Sequence, residues 1–210
     1  EEYIMAKYTF KYGNGTVDFD YPEEDIIKVL EPAELEKSTK TEEEIIRDSI
    51  ENPIGTPKLE EIIKPGQSVC IVVPDVTRAW ARPSVIVHIL VEKLEKIGVK
   101  DEDILFISGV GTHRLQEEED FENLIGKDFC KRFKHQNHYC DSDDFVTAGV
   151  TSRGNTVELN KFAMDCDHRI LVGGIVFHFL AGFGGGRKSI LPGVSAKSTI
   201  VQNHLMCLDP

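Results

Sequence analysis

Apolar and polar residues alternate across residues 3–21, and the alternation breaks at Gly13-Asn14-Gly15. Glycine and asparagine tolerate positive φ, so this pattern predicts two strands joined by a tight hairpin turn. Residues 24–30 continue with a short apolar run that predicts a third strand. Thr41 followed by Glu44 forms a capping box, which opens a helix that Asn52-Pro53 closes. From residue 68 the pattern changes. Ser68–Val73, Asp103–Ser108 and Arg169–Gly173 are strand-length runs of buried type. Between the first two, Ser84–Ile97 places Ile86, Ile89, Leu90, Leu94 and Ile97 on one helical face, with Gly98 as its stop. An acidic helix is expected near 116–125 and another helix around His204. Strands that are apolar on both faces and alternate with helices indicate a parallel sheet. The expected class is therefore α/β: a largely parallel sheet flanked by helices, Rossmann-like, with an N-terminal β-hairpin region. The expected organisation is a single α/β domain over 1–210, with the hairpin and first helix in 1–50 and the core in 51–210.

In such sheets ligands bind outside the carboxyl ends of the strands, where loops and helix N-termini converge. Three strand exits carry unusual residues. The first is Pro74-Asp75-Val76-Thr77-Arg78, and the second is Gly109-Val110-Gly111-Thr112-His113-Arg114. The third runs through His178 to Gly182-Phe183-Gly184-Gly185-Gly186-Arg187-Lys188-Ser189. The last segment approaches a phosphate-binding loop, but Arg187 stands where that loop needs glycine for close backbone contact with phosphate. Gly109-Val110-Gly111 likewise falls short of a dinucleotide fingerprint, because Arg114 occupies the third glycine position.

Charge narrows the partners. The chain has 24 basic and 36 acidic side chains, a formal net charge of −12. A field of that sign repels phosphate backbones and anionic membrane faces, so nucleic acid and lipid surfaces are not expected partners. No apolar run approaches the ~18 residues needed to span a bilayer. The 5 cysteines form no CxxC pair, which argues against a disulfide framework and for a cytoplasmic setting.

Of the 7 histidines, His88 is expected at a helix edge with a local partner, His135 and His138 in solvent, and His168 in a surface ion pair. His113 and His178 lie at strand exits, and His204 follows the glycine loop. Two histidines on separate loops can bracket a substrate as opposed general acid and base. Asp75 and Arg78 add a carboxylate and a fork suited to an anion. Lys188 beside Arg187 should have its pKa lowered by the like charge, favouring a nucleophilic amine. His204 alone is too few ligands for a metal, so a metal there would bring others, as part of a cofactor held by Lys188.

The run from His178 to Gly193, together with Asn52-Pro53-Ile54-Gly55, Asp75-x-Thr77-Arg78, His113-Arg114 and Asn203-His204, resembles the nickel-pincer-dependent lactate racemase family. The likeness covers roughly residues 50–205 and the amino-terminal, cofactor-carrying domain of a protein about twice as long. It implies a racemase or epimerase of lactate or a related 2-hydroxy acid. The cofactor would be a nickel-pincer nucleotide, Ni(II)-pyridinium-3,5-bisthiocarboxylic acid mononucleotide, tethered to Lys188 with His204 as the protein ligand to nickel. His113 and His178 would be the acid/base pair. Asp75, Val76, Thr77 and Arg78 would contact the nucleotide or the substrate anion, and Gly185 and Gly186 would let the backbone approach the cofactor. Hydride transfer to the cofactor avoids a carbanion beside a carboxylate, which is the difficulty in simple proton abstraction. The implied partners are the protein's own carboxy-terminal domain and the cofactor biosynthesis proteins. Ala79 and Leu115 stand where the family commonly has proline, which alters the loops near the anion site. The rival readings are a nucleotide-phosphate transferase using residues 182–189 as a modified P-loop, and a non-catalytic cofactor-binding domain.

Overall fold

The computed structural model describes residues 3–31, 33 and 38–208. It separates into two compact units, Glu1–Thr39 and Lys40–Pro210. In the first unit, β1 (Met5–Tyr12) and β2 (Gly15–Pro22) pair antiparallel with Tyr12 opposite Gly15, and Gly13 turns the chain at φ +57°. A Lys7–Asp18 ion pair at 2.8 Å and a Thr9 hydroxyl donating to Asp18 fix the register on one face. The strand expected at 24–30 is absent: Glu23–Asp25 is a 3₁₀ turn, and Ile27 and Leu30 are exposed. Among the described residues no strand pairs with this segment, and an isolated apolar run has no ladder to join.

The second unit opens with α1 (Glu42–Glu51), where the Thr41 hydroxyl accepts from the Glu44 N–H and the Glu44 carboxylate accepts from the Thr41 N–H. It continues with α2 (Leu59–Ile62), β3 (Val69–Val73), α3 (Pro83–Ile97) and β4 (Ile104–Ser108). Next come α4 (Glu118–Ile125), α5 (Lys127–Arg132) and β5 (Lys134–Asn137). A β6 (Phe145–Val150)–β7 (Thr156–Asn160) hairpin precedes α6 (Lys161–Asp165), β8 (His168–Leu171) and α7 (Lys197–Leu205). The main sheet is wholly parallel, in the order β5-β4-β3-β8. Every residue of β3 is buried, as its uninterrupted apolar sequence requires. Against one face pack Val87, Leu90, Val91 and Leu94 of α3 with Leu124, Ile125 and Phe129. Burying each such side chain contributes about 1.5–3 kcal/mol.

The polar stretch 131–141, expected to be solvated, instead supplies edge strand β5 and a fully buried residue, His138. Its Nε2–H donates to the Ser195 carbonyl at 2.9 Å, and its Nδ1 accepts from the Asn160 amide at 3.2 Å. Burial holds the ring below its ordinary pKa, so it stays neutral with both nitrogens satisfied. The contact ties the segment leading into α7 to the sheet. His88 behaves as expected, bonding the Ser84 carbonyl through Nδ1 and stacking on Phe129. His168 meets the Gln67 amide oxygen at 2.9 Å instead of a carboxylate. All 5 cysteines are free, and no helix among the described residues is long and apolar enough to cross a membrane.

Candidate functional site

Strands β4, β3 and β8 are neighbours, and their carboxyl ends release the three unusual loops side by side. The exits are level: the Gly109 N–H donates to Val73 O at 2.8 Å and the Val172 N–H to Val72 O at 2.9 Å. Between them lies a cleft of about 360 Å³. Asp75, Arg78, His113, His178, Gly185, Lys188 and His204 all line it, whereas Val76, Thr77 and Gly186 do not. Trp80 and Phe179 also line it; Phe179 lies in the third strand-exit run and stacks on His178, whereas Trp80, a lone aromatic in its loop, is given no role by the sequence.

Asp75 organises the β3 exit. It caps the 3₁₀ turn Val76–Ala81, where its Oδ1 accepts from the Thr77 N–H at 2.9 Å and from the Thr77 hydroxyl. Its Oδ2 accepts from Arg78 Nη1 at 2.6 Å and from His113 Nδ1 at 3.1 Å. Both oxygens are therefore engaged within the chain, and Asp75 orients neighbours. Burial pushes its carboxyl up, but the Thr77 bonds, Arg78 and His113 outweigh this and hold it below the ordinary value. The ionised form thus stabilises the fold above the usual aspartate pKa, and that contribution is lost as pH falls through the depressed native value. Asp75→Asn should be less stable than the parent at neutral pH, with the gap narrowing below about pH 3.9. Chemical denaturation across that range checks this, and a gap independent of pH would refute it.

The two cleft histidines are both held through Nδ1, by different partners. His113 Nδ1 faces the Asp75 carboxylate at 3.1 Å and the Arg78 Nη1 donor at 3.3 Å; the tautomer that donates to Asp75 leaves Nε2 with a lone pair. His178 Nδ1 instead accepts from the Leu180 and Ala181 N–H groups, each at 3.2 Å, so its proton sits on Nε2. His178 is held below its ordinary pKa by desolvation and by the positive charges of Lys188, Arg78 and His204. Lys188, on the 3₁₀ turn Gly186–Ser189, is also lowered. The causes are burial and then Arg78, which comes from another loop, so the like charge expected from Arg187 is not the source. After Lys188 and Ser189 no α-helix begins until Lys197, so the loop lacks the helix N-terminus that a P-loop uses.

A second hollow of about 450 Å³ adjoins the first, sharing His178, Lys188, Pro192 and His204, and lined also by Arg153 and Asn155. Asn155 Oδ1 is buried with no hydrogen-bond partner, while its amide donates to Thr199 O on α7. An orphaned acceptor beside a hollow fits a ligand that donates to it. Gly185, at φ +72°, would be strained by any side chain, and a Cβ there would stand tight against Gly174 O at 3.1 Å. Gly186, at φ +50°, faces open space. Among the described residues no trio of His, Cys, Asp or Glu ligand atoms includes His204. A metal at His204 would therefore need ligands from outside this chain, and a nucleotide carrying its own donors fits that set.

A family profile described as the lactate racemase N-terminal domain matches residues 12–210. The lactate racemases of Thermoanaerobacterium thermosaccharolyticum and Lactiplantibacillus plantarum are each 32% identical to the chain over 203 residues. Those alignments cover 95% of the chain and 47% of each relative, so the chain spans about half the length of the curated relatives it matches. The structure of the lactate racemase apoprotein from T. thermosaccharolyticum superposes with a TM-score of 0.82 at 30% identity, covering 95% of this chain and 46% of that one.

Proposed function

The chain belongs to the lactate racemase N-terminal domain family, and from that premise we propose that it is the cofactor-carrying half of a cytoplasmic racemase or epimerase acting on lactate or a related 2-hydroxy acid. One observation carries the reading: Lys188, His204, Arg78 and two histidines held through Nδ1 meet in a single cleft. Lys188 would hold the nickel-pincer nucleotide and His204 would ligate its nickel. When bound, that group supplies an acceptor for the hydrogen on the substrate's α-carbon.

The chain's own residues do the rest. Arg78 spends one guanidinium nitrogen on Asp75 and keeps others for the substrate carboxylate. His113 Nε2 takes the hydroxyl proton as a general base, while Asp75 on Nδ1 stabilises the imidazolium that forms. His178 Nε2–H donates to the substrate oxygen from the other loop. Inversion exchanges these roles, since the proton must return from the opposite side. His113 and His178 come from loops after β4 and β8, on either side of β3, which suits such a bracket. The remainder of the substrate site would come from the protein's own carboxy-terminal domain, and loading would require the cofactor biosynthesis proteins. Free cysteines throughout agree with a reducing compartment.

The test is peptide mass spectrometry of the full-length protein made alongside a pincer-nucleotide biosynthesis system and nickel. A mass addition confined to the Lys188 peptide, and lost in Lys188→Arg, is expected. An unmodified Lys188 peptide, beside a loaded control racemase from the same cells, would refute the assignment.

A further inference from the structure

Away from the cleft, one group of side chains is unexplained by the reading above. Glu118 opens α4, Cys130 lies on α5 and His135 on edge strand β5. Their carboxylate oxygen, sulfur and ring nitrogen all lie within 4.8 Å of one another, the one such trio among the described residues. The sequence placed His135 in solvent, 17 residues from Glu118, and only the turn of the chain at β5 brings the two together.

The hydrogen bonds of His135 hold its ring edge toward Glu118. Nδ1 faces the Phe133 carbonyl at 3.2 Å, and Nε2 faces Glu118 Oε2, also at 3.2 Å. Both partners are acceptors, but a neutral imidazole has one N–H. With the proton on Nδ1, toward the Phe133 carbonyl, Nε2 turns its lone pair to the side of Glu118, where a metal ion would take it. A backbone carbonyl on the far nitrogen is also the usual way a metal-binding histidine is oriented. The Phe121 ring, 4.8 Å from the imidazole, limits its rotation. The carboxylates of Glu118 and Glu122 add negative charge beside Cys130. Among the described residues Glu122 pairs with Lys127, at 3.8 Å.

We infer that Glu118, Cys130 and His135 form a site for a borderline divalent metal of the zinc class, separate from the cleft and pinning α4 and α5 to edge strand β5. Thiolate, imidazole and carboxylate together suit zinc or cobalt better than magnesium or calcium. Metal–ligand bonds of about 2.0–2.3 Å put ligand atoms about 3.5 Å apart; Glu118 and His135 already stand at 3.2 Å, so the closing shift of about 1 Å falls to the Cys130 sulfur. Binding exchanges the thiol proton for the metal, the proton leaving to solvent, and water takes the fourth position.

Cobalt(II) alone, titrated into the reduced, metal-free protein, is the probe. A thiolate-to-cobalt charge-transfer band that saturates at one equivalent is expected. It should vanish in Cys130→Ser and in His135→Gln, persist in Cys166→Ser and His204→Ala, and collapse on adding Zn²⁺. Glu118→Gln, a surface change that leaves packing intact, should weaken cobalt binding by about tenfold or more, since even outer partners of a metal cost that much. Absence of the band in the parent, its survival in Cys130→Ser, its resistance to Zn²⁺, or unchanged affinity in Glu118→Gln would each overturn the site. Should the Cys130 or His135 variants fail to fold, the Glu118 variant decides.

Discussion

His113→Ala and His178→Ala, each made in the full-length, cofactor-loaded protein, should lower the rate of inversion of a 2-hydroxy acid by about 10²–10⁴-fold, the usual worth of a positioned acid or base. Nickel content should stay at the parent level, because neither ring is the proposed metal ligand. The geometry makes a sharper expectation possible. With its Nδ1–H on Asp75, His113 would offer a lone pair at Nε2, while two backbone amides on Nδ1 leave His178 with N–H there. The two rings come from loops flanking β3, so each should serve one hand of the substrate. Single-turnover quenching should then show each variant still forming the 2-oxo acid from one enantiomer, with opposite hands retained by the two. Inversion within tenfold of the parent in either variant, or retention of the same enantiomer by both, would remove the two-histidine scheme.

The buried strands and their loops were legible because β3 and β4 are continuous apolar runs, and such runs have no other comfortable place than the middle of a parallel sheet. The polar sequence Lys134-His135-Gln136-Asn137 has no such signal, for β5 sits at the sheet edge and pairs with β4 alone. The reverse error came at Ile26-Ile27-Lys28-Val29-Leu30, where apolar residues looked like a strand that has no partner. His138 was unreadable for a related reason. Its partners Ser195 and Asn160 lie 57 and 22 residues away, and only the fold supplies them. Within the cleft, residue types at strand exits identified Asp75, Arg78, His113, His178 and Lys188, but not their division of labour. The lowered pKa of Lys188 was anticipated from a sequence neighbour, yet Arg78 on a different loop accounts for it after burial. Electrostatics depends on distance through space, and a linear sequence records only adjacency.

His204→Ala should reduce bound nickel in the loaded protein to near background while the mass addition at Lys188 persists. The two positions are separable because they come from different elements: Lys188 from the 3₁₀ turn after the glycine run, His204 from α7. α7 is held by groups that the substitution leaves alone. Thr199, buried on its inner face, donates to Thr156 O at 2.9 Å and accepts from the Glu158 N–H at 3.0 Å, and His138 anchors the segment before it. Truncating a half-buried ring in its last turns therefore removes a ligand without unseating the helix. Since His204 belongs to no trio of protein ligands among the described residues, the loss of metal should be nearly complete. Metal analysis paired with peptide mass spectrometry on the same sample reads both quantities. Nickel retained at the parent level would sink the ligand assignment, and loss of the Lys188 adduct together with nickel would show that the metal and the tether depend on one another.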